Sequence, residues 1–357
     1  MKHHFIINPA AGKGTLTRSL AARIRERCDS RGVEYTIYET TAPGDAERYV
    51  RKAVSEDGNL HRFYACGGDG TLCEVINGAP ADARAEFALI PIGTGNDFCR
   101  NFDERSAFLD IDRQLDGTPA RFDLIKYNDR YSINMLNIGF DCNVVNAAAT
   151  LKKKKYIPSE MAYVSGVAVT LFHKMTTPMH LELNTGEVIE RPLLLITIAN
   201  GRFCGGGFMS NPVASLDDGL FDVNIIEKVS RFTFLALVGS YKAGTHLKQA
   251  GKIVTYRQVS SLYLRFPREI PICVDGEIEQ AQELRVSLCP RVLSFVLPAG
   301  VSCLSIGTDA AACAPSPENA DAGPENADAG PENADEIPED AGAIYGPCPT
   351  TEDPVAP

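Results

Sequence analysis

One segment of the chain combines a short apolar run, a glycine-rich turn and the start of a helix. Residues 62–66 are mostly apolar and run directly into Gly67-Gly68-Asp69-Gly70-Thr71. The glycines leave backbone N–H groups accessible, and a helix beginning near Thr71 would point its positive end at the turn, so the segment can hold phosphate oxygens. Asp69 would repel phosphate unless a cation lay between them, which favours a metal-bridged nucleotide. Judged by its two glycines alone, the segment is about as often a turn that merely connects a strand to a helix as it is a phosphate-binding loop.

The longer string Gly67–Gly78, GGDGTLCEVING, resembles the nucleotide-binding signature of the diacylglycerol kinase catalytic domain. The GGDGT core is shared with NAD kinases, whereas EVING continues in the manner of the lipid kinases. Two further loops follow predicted strands, at residues 8–13 and 91–98. Because the carboxyl ends of parallel strands meet at one edge of a sheet, the three loops should converge on one ligand site.

The resemblance implies that ATP and Mg²⁺ bind at this edge. It places the nucleotide against Asn8, Pro9, Gly12, Lys13, Thr41, Gly67, Gly68, Asp69, Gly70, Thr71, Glu74, Thr94 and Asn96. It assigns a magnesium site to the carboxylates of Asp69, Asp97 and Asp123. Carboxylates gathered without partners raise one another's pKa, so a divalent cation is the simplest interpretation, although an Arg or Lys partner would also satisfy them.

Two segments in the second half of the chain complete the resemblance. Asp275-Gly276-Glu277 matches the family's catalytic loop, which implies that Asp275 is the general base and that Glu277 supports it. By spacing alone, Asp-Gly is more often an ordinary hairpin turn. The stretch 215–223 matches a loop that holds a second magnesium away from the reaction in bacterial members, which implies Asp218, with Ser215 and Leu220, as ligands. Oxygen ligands of this kind suit magnesium.

The order of predicted elements indicates two domains. Strands at 3–8, 34–39, 62–66 and 87–91 alternate with helices at 15–31, 44–55 and 71–78, which predicts a doubly wound, mainly parallel α/β domain. After residue 124 the pattern changes to short strands bounded by turns, which predicts an antiparallel, β-sandwich-like domain with helices near 159–174 and 230–241. The predicted strands of this part are 131–137, 180–183, 193–199, 221–226, 252–256 and 261–266. We therefore expect a nucleotide-binding domain at 1–124, a β-rich lipid-substrate domain at 125–291, a cleft between them, and a return of about 292–306 to the first domain.

The negative charge of the chain is concentrated near its end. Residues 308–357 hold 12 acids and no Lys or Arg, which leaves 34 acids against 35 bases in the first 307 residues. The segment repeats PENADAG and has few apolar side chains, so we expect a disordered acidic tail of unknown partner. No apolar run is long enough to span a bilayer, no signal peptide is evident, and the 11 scattered cysteines favour reduced core thiols. These features favour a cytoplasmic protein.

The sequence as a whole predicts an ATP- and Mg²⁺-dependent lipid kinase that acts peripherally at the inner membrane surface. Diacylglycerol is the leading substrate; a sphingoid base, ceramide or phosphatidylglycerol is left open, as is an NAD kinase-like activity or a non-catalytic nucleotide sensor. The basic run Lys152–Lys155 is either a membrane contact or a solvated helix end. We expect no nucleic-acid partner, and a homodimer is left open.

Overall fold

A computed structural model describes residues 1–12, 15–140, 142, 175–249 and 253–305. Its strands join in one mixed sheet, in which β12-β11-β10-β7-β13-β14-β4-β3-β1-β2 lie side by side, β5 and β6 extend from β14, and β8 and β9 extend from β13. In chain order the strands are β1 Lys2–Ile7, β2 Tyr35–Glu39, β3 His61–Gly67, β4 Ala85–Pro91, β5 Thr118–Tyr127, β6 Arg130–Ser132, β7 Met135–Gly139, β8 Thr177–Leu183, β9 Val188–Leu193, β10 Leu195–Ala199, β11 Phe221–Ile226, β12 Val254–Val259, β13 Ser261–Val274 and β14 Glu277–Leu297.

Helices connect the strands of the first half. They are α1 Thr15–Arg31, α2 Asp45–Glu56, α3 Asp69–Asn77 and the short α4 Ile111–Leu115, with α5 Arg231–Ala243 and α6 His246–Gln249 following in the second half. Strands β1 to β4 pair in parallel, as the alternation of strands and helices predicted. No helix in the described part of the chain is long and apolar enough to cross a membrane.

Alternation along the parallel strands creates two apolar layers. Phe5 and Ile7 of β1 face one side, where they join a cluster with Leu20 and Ile24 of α1. Ile6 faces the other side and packs in the cluster that includes α2 and α3. Since successive strand residues point to opposite faces, a nearly continuous apolar strand covered by helices on both faces is the expected arrangement.

The last strand, β14, connects the two halves of the sheet. Over its 21 residues it pairs antiparallel with β13 and β5, and near its end Phe295 pairs in parallel with Phe87 of β4. Its pairing with β5 shifts register between Cys289 and Leu293. The β-rich half has its own apolar cluster, drawn mainly from β7, β8, β10, β11, β13 and β14.

Several elements follow the sequence pattern, but β5 and β9 were not predicted, β14 begins earlier than expected, and two predicted strands are each divided in two. The predicted single strand over 131–137 is divided into β6 and β7. Between them, the backbone N–H groups of Ile133 and Asn134 donate to the carboxylate of Asp275 instead of to a neighbouring strand. The hydrogen-bond ladder of a β-sheet cannot continue through residues whose backbone N–H groups are bound by a side chain. The predicted helix near 159–174, the basic run Lys152–Lys155, Lys13 and the tail 308–357 lie outside the described residues.

Candidate active site at the edge of the parallel strands

The loop after β1 is held against the other two predicted nucleotide loops. Asn8 Nδ2 donates to Thr71 Oγ1 at 3.0 Å, which joins the first loop to the start of α3. Gly12 has φ +61°, and a Cβ there would lie 2.6 Å from the carbonyl oxygen of Ile92 in the third loop. Only glycine combines this conformation with such a close approach. Pro9 is exposed beside Asn8.

The second and third loops contact each other through their backbones. A Cβ on Gly93 would lie 2.5 Å from the Cα of Gly68, so position 93 needs the absence of a side chain. Asp69 accepts hydrogen bonds from the backbone N–H groups of Asp97 and Phe98, each at 3.0 Å. Gly67 ends β3, and its carbonyl accepts from the backbone N–H groups of Ile92 and Gly93. The Asp69 carboxylate thus fixes the third loop against the second.

The third loop presents a second carboxylate beside the first. A Cβ placed on Gly95 would lie 3.3 Å from Asp69 Oδ2 and 3.6 Å from Asp97 Oδ2. Asp97 is buried. Burial and the nearby charge of Asp69 raise the pKa of its carboxyl group, whereas hydrogen bonds to the carboxylate lower it in part. Arg100 pairs with Asp97 at 3.1 Å. The Arg100 guanidinium thus offsets part of the charge of Asp97, as the Arg or Lys partner left open by the sequence would do.

Asn96 and Thr94 complete the third loop. Asn96 adopts φ +48° and donates from Nδ2 to the carbonyl of Gly93 at 2.9 Å. Its Oδ1 is buried without a hydrogen-bond partner, which is unusual for a polar atom in that environment. Thr94 is exposed. The Asn96 side chain therefore stabilises the loop from within through its Nδ2 group.

Asp275 lies in a cage of donors in the β-rich half. Its Oδ1 accepts from Ser132 Oγ at 2.8 Å and from the backbone N–H groups of Asn134 and Met135, and its Oδ2 accepts from the N–H of Ile133. The residue is 3% exposed and has φ +46°, an uncommon conformation for a residue other than glycine. Burial outweighs these hydrogen bonds and raises the pKa of Asp275 to about 6.

Glu277 connects the Asp275 turn to the glycine-rich loop. A Cβ on Gly70 would lie 2.6 Å from Glu277 Oε1, so the glutamate rests on the first turn of α3. Desolvation and the neighbouring Glu74 and Glu279 raise the pKa of Glu277. Glu74 accepts from the backbone N–H of Gly44 at 2.9 Å. The backbone N–H and the hydroxyl of Thr41, which is exposed nearby, both donate to Asp45.

The carboxylate of Asp123 is bound by backbone N–H groups of two other segments. Asp123 Oδ2 accepts from the backbone N–H of Gly219 at 2.8 Å and its Oδ1 from that of Arg291 at 2.7 Å. Asp123, in strand β5, also donates its backbone N–H to the carbonyl of Leu216, so it contacts the loop at 215–220. In the described part of the chain, no three His, Cys, Asp or Glu side chains are arranged to hold a metal.

The loop at 215–220 is nevertheless rich in acidic groups. Burial raises the pKa of Asp218, with Asp123 and Asp217 adding to the shift. Ser215 Oγ donates to Asp217 Oδ1, and the backbone N–H of Leu220 donates to Asp218 Oδ1. Ser215 and Leu220 therefore lie on the same tight loop as Asp218, where their backbone carbonyl oxygens could join a carboxylate as ligands of a hard cation.

A second glycine-rich segment, the 200–208 loop, links Asp97 and Asp123 to the β-rich half. The backbone N–H of Gly206 donates to Asp97 Oδ2 at 2.9 Å. Asn200, at the start of this loop, donates to the carbonyls of Asp123 and Ile133. Arg202 anchors the loop by donating to the carbonyl oxygens of Leu304 and Ser305. The site is thus assembled from segments far apart in the chain.

An apolar cavity of about 260 Å³ opens beside that loop. Cys204, Gly205 and Phe208 form the wall nearest to Asp97, while Phe234 and Val238 of α5 form the opposite wall. The other lining residues are Phe140, Leu194, Leu195, Ile226, Val229, Leu235, Leu237, Tyr241, His246, Ile253 and Val254. A concave apolar surface with few polar groups suits a hydrocarbon chain.

Sequence reasoning missed the hydrogen-bond donors around Asp275 and the hydrogen bonds that hold the 200–208 loop. Ser132, Asn134 and Asn200 hold the site together through bonds to backbone groups or to one carboxylate. Such bonds leave no spacing signature, because their partners lie more than 60 residues away. The one available signal was the run Ser132-Ile133-Asn134, where polar residues interrupt an otherwise apolar strand.

Comparison with known proteins identifies two matching sequence families. A profile described as the diacylglycerol kinase catalytic domain matches residues 2–127, and one described as the YegS C-terminal NAD kinase beta sandwich-like domain matches residues 134–297. A diacylglycerol kinase of Staphylococcus carnosus is 30% identical over 274 residues, which cover 76% of this chain and 87% of the relative. A protein of Shewanella frigidimarina named "Probable lipid kinase YegS-like" is 28% identical over 268 residues, covering 73% of this chain and 83% of the relative.

A solved structure confirms the fold. The crystal structure of a diacylglycerol kinase from Bacillus anthracis str. Sterne superposes with a TM-score of 0.57 at 21% identity, covering 84% of this chain and 98% of that one. At this identity the likeness bears on the fold alone. It confirms an α/β domain followed by a β-rich domain, as the sequence predicted.

Proposed function

Because the chain belongs to the diacylglycerol kinase family of lipid kinases, we propose that it transfers the γ-phosphate of ATP, in the presence of Mg²⁺, to the hydroxyl group of diacylglycerol. The product would be phosphatidic acid. The observation that carries the proposal is the contact between Glu277 and Gly70, because it brings the Asp275 turn against the glycine-rich loop. A phosphate donor and a hydroxyl acceptor must meet at such a junction.

In this proposal the three loops after β1, β3 and β4 hold the nucleotide. The exposed N–H groups near Gly68 and Gly70 and the positive end of α3 provide phosphate contacts without a side chain in the way. Asn8 and Thr71 brace one loop against another. Mg²⁺, when bound, offsets the phosphate charge beside the Asp69 and Asp97 carboxylates.

Asp275 takes the proton from the substrate hydroxyl. A pKa of about 6 leaves the carboxylate mostly ionised at neutral pH, yet basic enough to accept a proton as the oxygen attacks. Three of the four hydrogen bonds from Ser132 and the backbone arrive at Oδ1, whereas Oδ2 accepts one of them, from the N–H of Ile133, and the Cys73 thiol also bonds to this carboxylate. Oδ2 therefore retains a lone pair for the incoming hydroxyl group.

The apolar cavity would hold hydrocarbon of the acceptor. Gly205 and Phe208 line it, and their loop reaches Asp97 through the N–H of Gly206. A lipid lying there would direct its polar end toward the carboxylates. The cavity does not distinguish diacylglycerol from a sphingoid base, ceramide or phosphatidylglycerol, since all contain long chains, and diacylglycerol is proposed on the strength of the named relatives.

The loop carrying Ser215, Asp218 and Leu220 is proposed as a second, non-reacting Mg²⁺ site. Asp123 supports this loop through Gly219 and holds the backbone of Arg291 in β14. A cation there would fix the β-rich half relative to β14, and so relative to the Asp275 turn.

The decisive experiment is transfer of labelled γ-phosphate from ATP to a panel of lipid alcohols in mixed micelles, with and without Mg²⁺. Reactions with NAD as acceptor and reactions without lipid serve as controls. Asp275→Asn is the test variant, and Asp129→Asn, which changes an exposed carboxylate in the β5–β6 turn, is the matched control variant. We expect label in diacylglycerol, lost by a factor of about 10² to 10⁴ only in Asp275→Asn. Label in NAD, or equal activity in both variants, would contradict the proposal.

A further inference from the structure

Helix α5 is apolar along most of its length but buries none of its residues. Its sequence, RFTFLALVGSYKA, has no acidic side chain. By contrast, α2 and α3 bury five and six residues respectively. A helix that is apolar on nearly all sides is normally enclosed by protein or lipid. The outer face of α5 therefore lacks a partner in the described part of the molecule.

The exposed side chains lie on one side of this helix. Phe232 is 87% exposed and Leu235 is 54% exposed, and residues three apart share a helix face. Phe232 is the most exposed large hydrophobic side chain in the described ranges. The opposite side meets the protein, where the ring of Phe234 lies 4.6 Å from that of Phe140. One face of α5 thus closes the apolar cavity while the other is turned to solvent.

The charged residues of α5 and its flanking segments, residues 228–249, have a single sign, and Glu227 just before them pairs with Arg191. Residues 228–249 contain Lys228, Arg231, Lys242 and Lys248 and no Asp or Glu. All four cations are exposed. The first 307 residues as a whole are close to neutral, so this segment is a local basic region. Exposed Phe and Leu flanked by Lys and Arg are the features of helices that lie in the headgroup layer of anionic membranes.

We propose that α5 is a membrane-docking helix, which inserts Phe232 and Leu235 into an anionic bilayer and keeps its cations at the phosphate level. We propose a bilayer as the partner for two reasons. The basic residues beside α5 complement anionic lipid headgroups, and the exposed face of α5 is continuous with the apolar cavity, because Leu235 lines the cavity and is also exposed outside it. A chain leaving the bilayer at this helix would enter the cavity without crossing water. This last step, but not the docking itself, rests on the proposed lipid kinase function.

The test is vesicle flotation of the full-length protein without ATP or diacylglycerol. Vesicles contain phosphatidylcholine alone or equal parts of phosphatidylcholine and phosphatidylglycerol. We expect binding to the anionic vesicles, weakened about tenfold by Phe232→Ser and also weakened by Lys228→Glu. Val188→Ser removes an equally apolar, 58% exposed side chain on β9, and Lys52→Glu reverses an exposed charge on α2, so these variants should bind like the original protein.

Thermal unfolding checks that the Phe232→Ser variant is folded. Because a phenylalanine that is 87% exposed contributes little to stability, this variant should unfold at the same temperature as the original protein. Equal vesicle binding by Phe232→Ser and the original protein would overturn the proposal, as would absence of binding to anionic vesicles. Dissociation of a dimer by Phe232→Ser, measured by sedimentation without vesicles, would instead assign the face to a second copy of the chain. Binding without phosphoryl transfer would contradict the proposed function and leave the docking intact.

Discussion

Glu277, at the start of β14, lies directly on Gly70 in the first turn of α3, where a Cβ atom would come within 2.6 Å of Glu277 Oε1. The two residues are more than 200 positions apart in the chain. The Glu277 side chain thus joins the glycine-rich turn at residues 67–71 to the Asp275 turn. A Cβ at residue 70 would therefore displace the Glu277 side chain from its contact with α3.

Gly70→Ala should reduce phosphoryl transfer more than it reduces stability. The new methyl group would push the flexible end of Glu277 aside and disturb the Asp275 turn, while alanine itself favours the helix. We expect kcat/KM to fall at least about tenfold, with the unfolding temperature nearly unchanged. Gly58→Ala is the matched control, because a Cβ there meets nothing within 4 Å. Equal kinetics in the two variants would contradict the importance of this contact.

The activity should depend on an ionisation near pH 6. Since burial raises the pKa of Asp275 to about 6, the proposed base is increasingly protonated as the pH falls below that value. The profile of kcat/KM should drop about tenfold for each pH unit in the acid limb. A profile flat from pH 5 to 8 would exclude Asp275 as the base with this ionisation.

The same shift predicts how stability changes with pH. The folded-state pKa is raised above the ordinary value of 3.8, so folding holds the Asp275 proton more tightly than the unfolded chain does. The stabilising contribution of the protonated form is present below pH 3.8 and is lost as the pH rises to about 6. Asp275→Asn does not titrate, so its stability relative to the original protein should increase across this window. Urea unfolding at several pH values measures the difference.

Mg²⁺ should stabilise the protein through the loop at Asp218. If Asp218 is a ligand, the unfolding temperature without nucleotide should rise with MgCl₂, by the few degrees that about 1–3 kcal/mol of binding free energy produces. Asp218→Asn should lose most of this rise, and Asp129→Asn should keep it. An identical rise in both variants would place the responsible cation elsewhere.

Filling the apolar cavity should change which acceptors are used. Val238→Trp places a large ring in a space of about 260 Å³. We expect kcat/KM for a long-chain diacylglycerol to fall at least about tenfold relative to a short-chain one, because less apolar surface can be buried. Val188→Trp, on an exposed hairpin, is the control. An unchanged ratio would show that the chains bind elsewhere.

Much of the fold followed from local pattern. Apolar periodicity and turn residues predicted α1 at 15–31 and β11 at 221–226 to the residue. The division of 131–137 into β6 and β7 could not be predicted in this way, since it depends on the carboxylate of Asp275 some 140 residues further along. Local propensity carries no information about a hydrogen-bond partner at that distance.

The candidate site was predicted in part. Strand-ending loops with glycines and carboxylates indicated a phosphate and metal edge, and the structure brings Asp69 and Asp97 together there. The resemblance to the kinase family grouped Asp123 with them as a third carboxylate of the metal site. In the structure the N–H groups of Gly219 and Arg291 bind Asp123 instead, since β5 pairs with β14 and leads to the loop at 215–220.

By itself, the sequence determined the alternating α/β order, the glycine turn after β3, and the family to which the chain belongs. Those properties depend on backbone freedom and apolar periodicity, which neighbouring residues specify. The tertiary structure alone decided that Glu277 meets Gly70, that Asp275 is caged and its pKa raised, and that α5 leaves Phe232 uncovered. Burial and long-range contact arise only when distant segments pack together, because desolvation depends on everything that surrounds a group and not on its place in the chain.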